Sequence, residues 1–213
     1  MQSHRPAFAA VLLLSLADAA MRLTFTGRRV PQDALLWVFD GSRETSLPTW
    51  FAVVAMACLG LRCWSLGSHD WRWRLPGLGF LYLSADDACM LHERLGALLQ
   101  PWFGGHGVYS WILVIAPVFV VAGIAVFAWL WRTLGGAGHR RALLLAGFAA
   151  LGIALGLEVV EDRVIASGLQ LRGIPLFAYD SWLEESLEML APILLLRALA
   201  GLPERVPAAS LGR

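Results

Sequence analysis

Long apolar runs alternate with short stretches rich in Gly, Pro and Arg along almost the whole chain. A helix of about 20 apolar residues crosses the roughly 30 Å hydrocarbon layer of a bilayer. The pattern predicts six such spans, over 7–25, 49–64, 76–100, 109–131, 143–165 and 182–200. The expected fold is therefore all-α, a polytopic membrane helix bundle of about six transmembrane helices forming one domain over 1–213. Ser46 is placed to cap the second span, with Pro48 in its first turn. Pro117 predicts a kink in the fourth span, and Gly152-Ile153-Ala154-Leu155-Gly156 predicts close approach of a neighbouring helix in the fifth. Residues 26–48 form the longest loop, with an amphipathic piece from Asp33 to Phe39 suited to the headgroup layer.

The first apolar run admits two readings. Arg5, the run 7–16 and Ala17-Asp18-Ala19 imitate a signal peptide with its cleavage site. Against this, Asp18 and Arg22 stand i,i+4 in the favourable acid-before-base order, and the helical pattern continues beyond the supposed cut. An uncleaved first span is the expectation, with Asp18 turned toward protein rather than lipid.

Composition supports the membrane class. The chain is 58% hydrophobic and 15% charged, against about 25% charged in soluble domains. A net charge of +1 excludes a nucleic-acid binder. All 17 basic residues are Arg and Asn is absent, a bias that fits a GC-rich, bacterial genome. Cys58, Cys63 and Cys89 all lie in spans without a paired extracellular spacing, which argues against a disulfide framework. With both termini inside (N-in, C-in), ten Arg fall on the cytoplasmic side and seven on the other, the sense of the positive-inside rule. All ten Trp fall near span ends or in loops. The expected location is a bacterial inner (cytoplasmic) membrane, with membrane lipid as the partner.

This orientation gathers the ionisable residues. Asp18, His92, Glu93, Glu158, Glu161, Asp162, Glu184, Glu185 and Glu188 fall in the outer, periplasmic half, and Asp86 and Asp87 near the midplane. Ionisable groups inside a span cost about 2.5–3.5 kcal/mol each on insertion scales and mark functional sites. The densest segment is Ser84–Arg94. On a continuous helix, Asp86, Cys89 and Glu93 share a face with His92 at its edge, while Asp87 shares a face with Arg94. Glu158, Glu161 and Asp162 form a stripe on the fifth span; Asp180, Glu184 and Glu188 form one on the sixth. Glu184 and Glu185 equally suit the first turn of that span through the helix dipole. So many like charges call for protons, arginines or a metal cation. First candidates for a metal are Asp86, His92, Glu93, Glu158 and Glu188. Supporting candidates are Asp18, Ser84, Asp87, Cys89, Arg94, Glu161, Asp162, Arg163, Glu184 and Glu185, with Arg94 or Arg163 balancing charge. A carboxylate-rich set with one imidazole favours iron or manganese over zinc as the divalent metal, although no E-x-x-H of the helical-bundle carboxylate type occurs. His106, in a Gly-rich loop, reads as a solvent histidine.

The segment Ser84-x-Asp86-Asp87-x-x-x-x-His92-Glu93, with Glu184-Glu185-x-x-Glu188-Met189, resembles a group of uncharacterised bacterial multi-pass membrane proteins with an S-x-D-[DE]-x-x-x-x-H-E span motif. That resemblance implies no activity. Ser84, Asp86 and His92 also bear a distant analogy to the alkaline ceramidase-like membrane hydrolases, whose late H-x-x-x-H is missing here. No P-loop, dinucleotide fingerprint, H-E-x-x-H or G-x-S-x-G is present. Three functions stay open: a metal site acting on a lipid-like substrate, a cation- or proton-coupled transporter, and a non-catalytic scaffold with a structural polar network.

Overall fold

A computed structural model of the chain describes residues 4–25, 35–41, 43, 45–68, 70–103, 110–136 and 138–202, without the side chains at 25, 35, 36, 103, 110, 113, 162, 163 and 166. The described chain is mostly helical. Its helices are α1 (Arg5–Phe25), α2 (Leu47–Leu66), α3 (Arg74–Cys89), α4 (Leu91–Phe103), α5 (Ser110–Val114), α6 (Ala116–Thr133), α7 (Gly138–Ser167) and α8 (Leu176–Leu199). Two short 3-10 turns, Leu35–Phe39 and Trp71–Trp73, precede α2 and α3. A two-residue antiparallel pair, β1 (Gln170–Leu171) with β2 (Ile174–Pro175), closes the α7–α8 hairpin. Only the last part of the amphipathic piece expected over 33–39 lies within the described residues, and there it forms the first of these 3-10 turns.

Among the described residues, four helices are long and apolar enough to cross a membrane: Arg5–Thr24, Leu47–Leu66, Ala116–Thr133 and Gly138–Glu161. Helix α3 spans 16 residues, about 24 Å at 1.5 Å per residue, short of a full crossing. Helix α8 is long enough, but Asp180, Glu184, Glu185 and Glu188 fall within its first 13 of 24 residues.

Helix α8 is the hub, packing along α7, α2 and α1, while α3 lies along α2. At one end Leu59, Cys63, Leu130, Leu144, Leu195 and Leu199 form a closed core, to which Trp73 and Trp129 add an edge-on ring pair with centroids 4.8 Å apart. A second cluster joins Val11 of α1, Ala52 and Ala55 of α2, and Met189 and Ile193 of α8. Helix α6 is seated in the first core by Leu130 and Leu134. Its other half stands clear, with Val118, Val121 and Ile124 exposed.

Local chemistry explains the helix starts. Ser46 caps α2, its Oγ accepting from the Thr49 N–H at 3.2 Å, and proline occupies the first turn. Pro117 does not kink a long fourth span. The chain breaks at Ile115, and the proline sits in the first turn of α6, where its missing N–H is harmless. Helix α8 starts at Leu176, so Glu184 and Glu185 lie more than two turns in and take nothing from its N-terminal dipole.

Asp18 faces protein as its pairing with Arg22 requires, at 1% exposure. Its carboxylate accepts from Arg22 Nε at 2.8 Å and from the Gly41 N–H at 3.3 Å. Arg22 also donates to the Ala178 carbonyl at 3.2 Å, and the Trp182 indole N–H donates to the Ser15 carbonyl at 2.9 Å. These bonds tie α1 and the following loop to α8.

Close helix approach falls elsewhere than at the GxxxG. Gly152 and Gly156 meet open space, whereas a methyl group on Gly60 of α2 would lie 2.9 Å from the Leu81 backbone nitrogen and 3.0 Å from the Gly77 carbonyl oxygen. Gly60 and Gly77 let the α2 and α3 backbones touch. Gly60→Ala is expected to lower stability by about 1–3 kcal/mol through overpacking, read as the unfolding midpoint in mild detergent. Gly79→Ala, with no atom in the way, serves as the matched control, and an equal loss in both would contradict this packing.

Candidate functional site

The continuous span expected over 76–100 is interrupted within the Ser84–Arg94 segment. Met90 adopts a left-handed conformation (φ 52°, ψ 45°) and its N–H bonds to the Asp86 carbonyl, ending α3. A non-glycine residue there is strained by about 1–2 kcal/mol, and Asp86 provides the compensation. The first N–H groups of α4 have no partner within the helix. Asp86 Oδ1 accepts one of them, from His92 N at 2.9 Å. Asp86 Oδ2 lies 3.0 Å from His92 Nδ1. One buried carboxylate thus caps α4 and grips the imidazole at its start.

Cys89, the last residue of α3, is exposed rather than joining Asp86. The break changes the phase of everything after it. Arg94 is exposed and absent from the cavity wall, so it does not balance Asp87, which faces the cavity beside Asp86. Ser84 is a packing residue: its hydroxyl donates to the Val53 carbonyl at 2.8 Å, pinning α3 to α2. Glu93 lies within electrostatic reach of His92 and Glu158 without lining the cavity.

On its far side the His92 ring meets α7. Nε2 lies 3.6 Å from Glu158 Oε1. The ring packs on Trp111 of α5, with centroids 4.8 Å apart. With Nδ1–H donated to Asp86, Nε2 is the nitrogen left to act toward Glu158 and the space beyond it.

That space is a cavity of about 760 Å³ between α2, α3, α6 and α7, inside the 300–1,000 Å³ range of small-molecule sites. Gly79, Gly123 and Gly152, one from each of three helices, line it and leave room where a side chain would stand. Phe127 and Phe148, 5.4 Å apart, flank its apolar end. Asp86, Asp87, His92, Trp111, Glu158 and Glu188 line the other. Along α7 the lining runs from Leu145 to Glu158, about 20 Å of helix.

The remaining expected residues divide between two places. Glu184 lies within electrostatic reach of Glu188, Glu158 and Glu161, on the cavity side of α8. Glu185 packs beside Gly41, next to the Asp18 network. Asp18 therefore belongs to the α1–α8 tie and not to the cavity. The side chains of Asp162 and Arg163, and all of His106, fall outside the described residues. Among the described residues, no group of three or more His, Cys, Asp or Glu side chains is placed to hold a metal ion. Trp111 is the participant that sequence alone missed. It carries an indole N–H that is buried without an acceptor among the described residues, and only its place before a helix break hinted at a role beyond anchoring.

Two substitutions separate the two duties of Asp86. Asp86→Ala is expected to remove about 1 kcal/mol of capping, speeding amide exchange over residues 91–94 roughly fivefold. Asp86→Asn retains an oxygen for the His92 N–H and keeps exchange near wild type, while its amide N–H2 turns Nδ1 into an acceptor. Hydrogen exchange read by mass spectrometry tests both, and unchanged exchange in Asp86→Ala would contradict the capping role.

Comparison with known proteins places the chain without assigning it an activity. No curated protein and no solved structure matches it. A family model described as Domain of unknown function (DUF8692) matches residues 6–200. Covering nearly the whole chain, that match makes this protein a member of the DUF8692 family.

Proposed function

We propose that this protein binds a lipid-like amphiphile within the membrane and presents its headgroup to an acid–base site centred on His92. The observation that carries the reading is the double hold of Asp86 on His92, at backbone N and Nδ1, which leaves Nε2 toward Glu158 at the polar end of an apolar cavity. A histidine oriented by one carboxylate and open at its other nitrogen is the arrangement of a general base or acid. A network serving packing alone would have no need of an apolar cavity beside it.

The same reading gives the chain six crossings, both termini inside and the cavity's polar end toward the outer side. Arg62 of α2 donates to the Leu202 carbonyl beyond α8 at 2.8 Å, which supports placing those two ends on one face with the arginine excess. Helix α3 then stops short of the outer interface. Helix α4, with Leu91, Leu95, Leu98 and Trp102 exposed in a stripe, lies along the outer headgroup region as an amphipathic helix does.

A metal-dependent variant has one observation in its favour. Metal-ligating histidines usually donate their other ring N–H to a carboxylate, as His92 does to Asp86. In that case His92 Nε2 and Glu158, 3.6 Å apart, would contact an iron or manganese ion.

Lipid analysis of protein purified from its membrane into nanodiscs tests the main reading. About one co-purifying amphiphile per chain is expected in the wild type, and its loss in Gly123→Leu/Gly152→Leu, which fills the cavity. No retained amphiphile in the wild type, or equal retention in the filled variant, sinks it. Metal analysis of the same samples tests the variant reading: stoichiometric iron or manganese, lost in His92→Ala, supports it, and its absence from the wild type rejects it.

A further inference from the structure

Taking the amphiphile site as the basis, we infer that its ligand carries a hydroxyl in the headgroup, held between the Trp111 indole and the His92–Glu158 pair. Trp111 is 4% exposed and lines the cavity, and its Nε1–H is buried with no acceptor among the described residues. An indole N–H can only donate, and a buried donor left unmet is costly. A headgroup filling this end of the cavity is favoured when it brings an accepting atom to that N–H.

The opposite demand comes from His92 and Glu158. Asp86 Oδ2 lies 3.0 Å from Nδ1 and takes that nitrogen's proton, which turns Nε2 toward Glu158. Nε2 and Glu158 Oε1 stand 3.6 Å apart, longer than a hydrogen bond. In either protonation state the pair keeps an atom that accepts, Nε2 of the neutral ring or a carboxyl oxygen. It calls for a donor. The His92 and Trp111 rings pack with centroids 4.8 Å apart, so one headgroup reaches both. A hydroxyl accepts from the indole and donates to the pair at once. An ether or carboxylate oxygen only accepts, and an ammonium only donates. From Glu158 the lining continues along α7 to Leu145, about 20 Å of helix, which accommodates the alkyl chain.

Direct binding measurements in nanodiscs, corrected for partition into protein-free discs, test this with four probes of equal chain length: dodecanol, 1-methoxydodecane, protonated dodecylamine and dodecanoate. Dodecanol is expected to bind about tenfold more tightly than each of the other three. Trp111→Phe is expected to weaken dodecanol and 1-methoxydodecane about tenfold and to leave dodecylamine, which brings no acceptor, unchanged. The wild-type order needs no substitution, so it decides the matter even if Trp111→Phe fails to fold. 1-Methoxydodecane, dodecylamine or dodecanoate binding as tightly as dodecanol overturns the hydroxyl while the amphiphile site stands. Equal dodecanol affinity in folded Trp111→Phe overturns it equally. Failure of all four probes to bind the wild type overturns the hydroxyl and, together with no co-purified amphiphile, the amphiphile site as well.

Discussion

Backbone N–H and C=O groups in apolar surroundings must find partners, because no water is at hand to take them. Helix α3 ends at Met90 under that constraint, and α4 begins one residue later with donors in need of acceptors. Asp86 meets the need with one oxygen and holds the His92 ring with the other. A single side chain therefore decides where α3 can stop, how α4 departs and which nitrogen of His92 faces the cavity. The strain at Met90 is tolerated because these bonds over-determine the turn.

The rest of the bundle keeps that end open and the other closed. Helix α8 serves both regions along its length: Ser181 and Glu185 lie beside the Asp18–Arg22 tie, and Glu188, further along the same face, lines the cavity. Helix α6 is locked into the core by Leu130, with Leu134 just past its end, and lines the space beside α3 and α7 from Val118 to Phe127. The polar hub and the apolar wall meet there.

Much of the architecture was legible in the sequence because hydrophobic length is a direct signal of a spanning helix. Ser46 and Pro48 mark the start of α2, and the i,i+4 spacing of Asp18 and Arg22 foretold a buried pair; the structure bears out all of these. The gathering of Asp86, His92, Glu158 and Glu188 at one cavity also follows from their expected depths. The break at Met90 was hidden, because neither Gly nor Pro marks it and the helical pattern runs through. That one turn separated Arg94 from Asp87. Gly152 misled for a related reason: a small residue opens space as readily as it admits a neighbour, and only tertiary packing decides which. Ser84 was drawn into the candidate site by its neighbours in sequence, although its hydroxyl is used to fasten α3 to α2.

Everything proposed for the site depends on the environment of one imidazole. Solid-state 15N NMR of histidine-labelled protein in lipid reads both ring nitrogens, with His92→Ala identifying the His92 signals among those of the five histidines. The expected result is a protonated, hydrogen-bonded Nδ1 whose resonance moves in Asp86→Ala, and an Nε2 resonance that moves in Glu158→Gln. A His92 spectrum unchanged by either substitution would contradict the account.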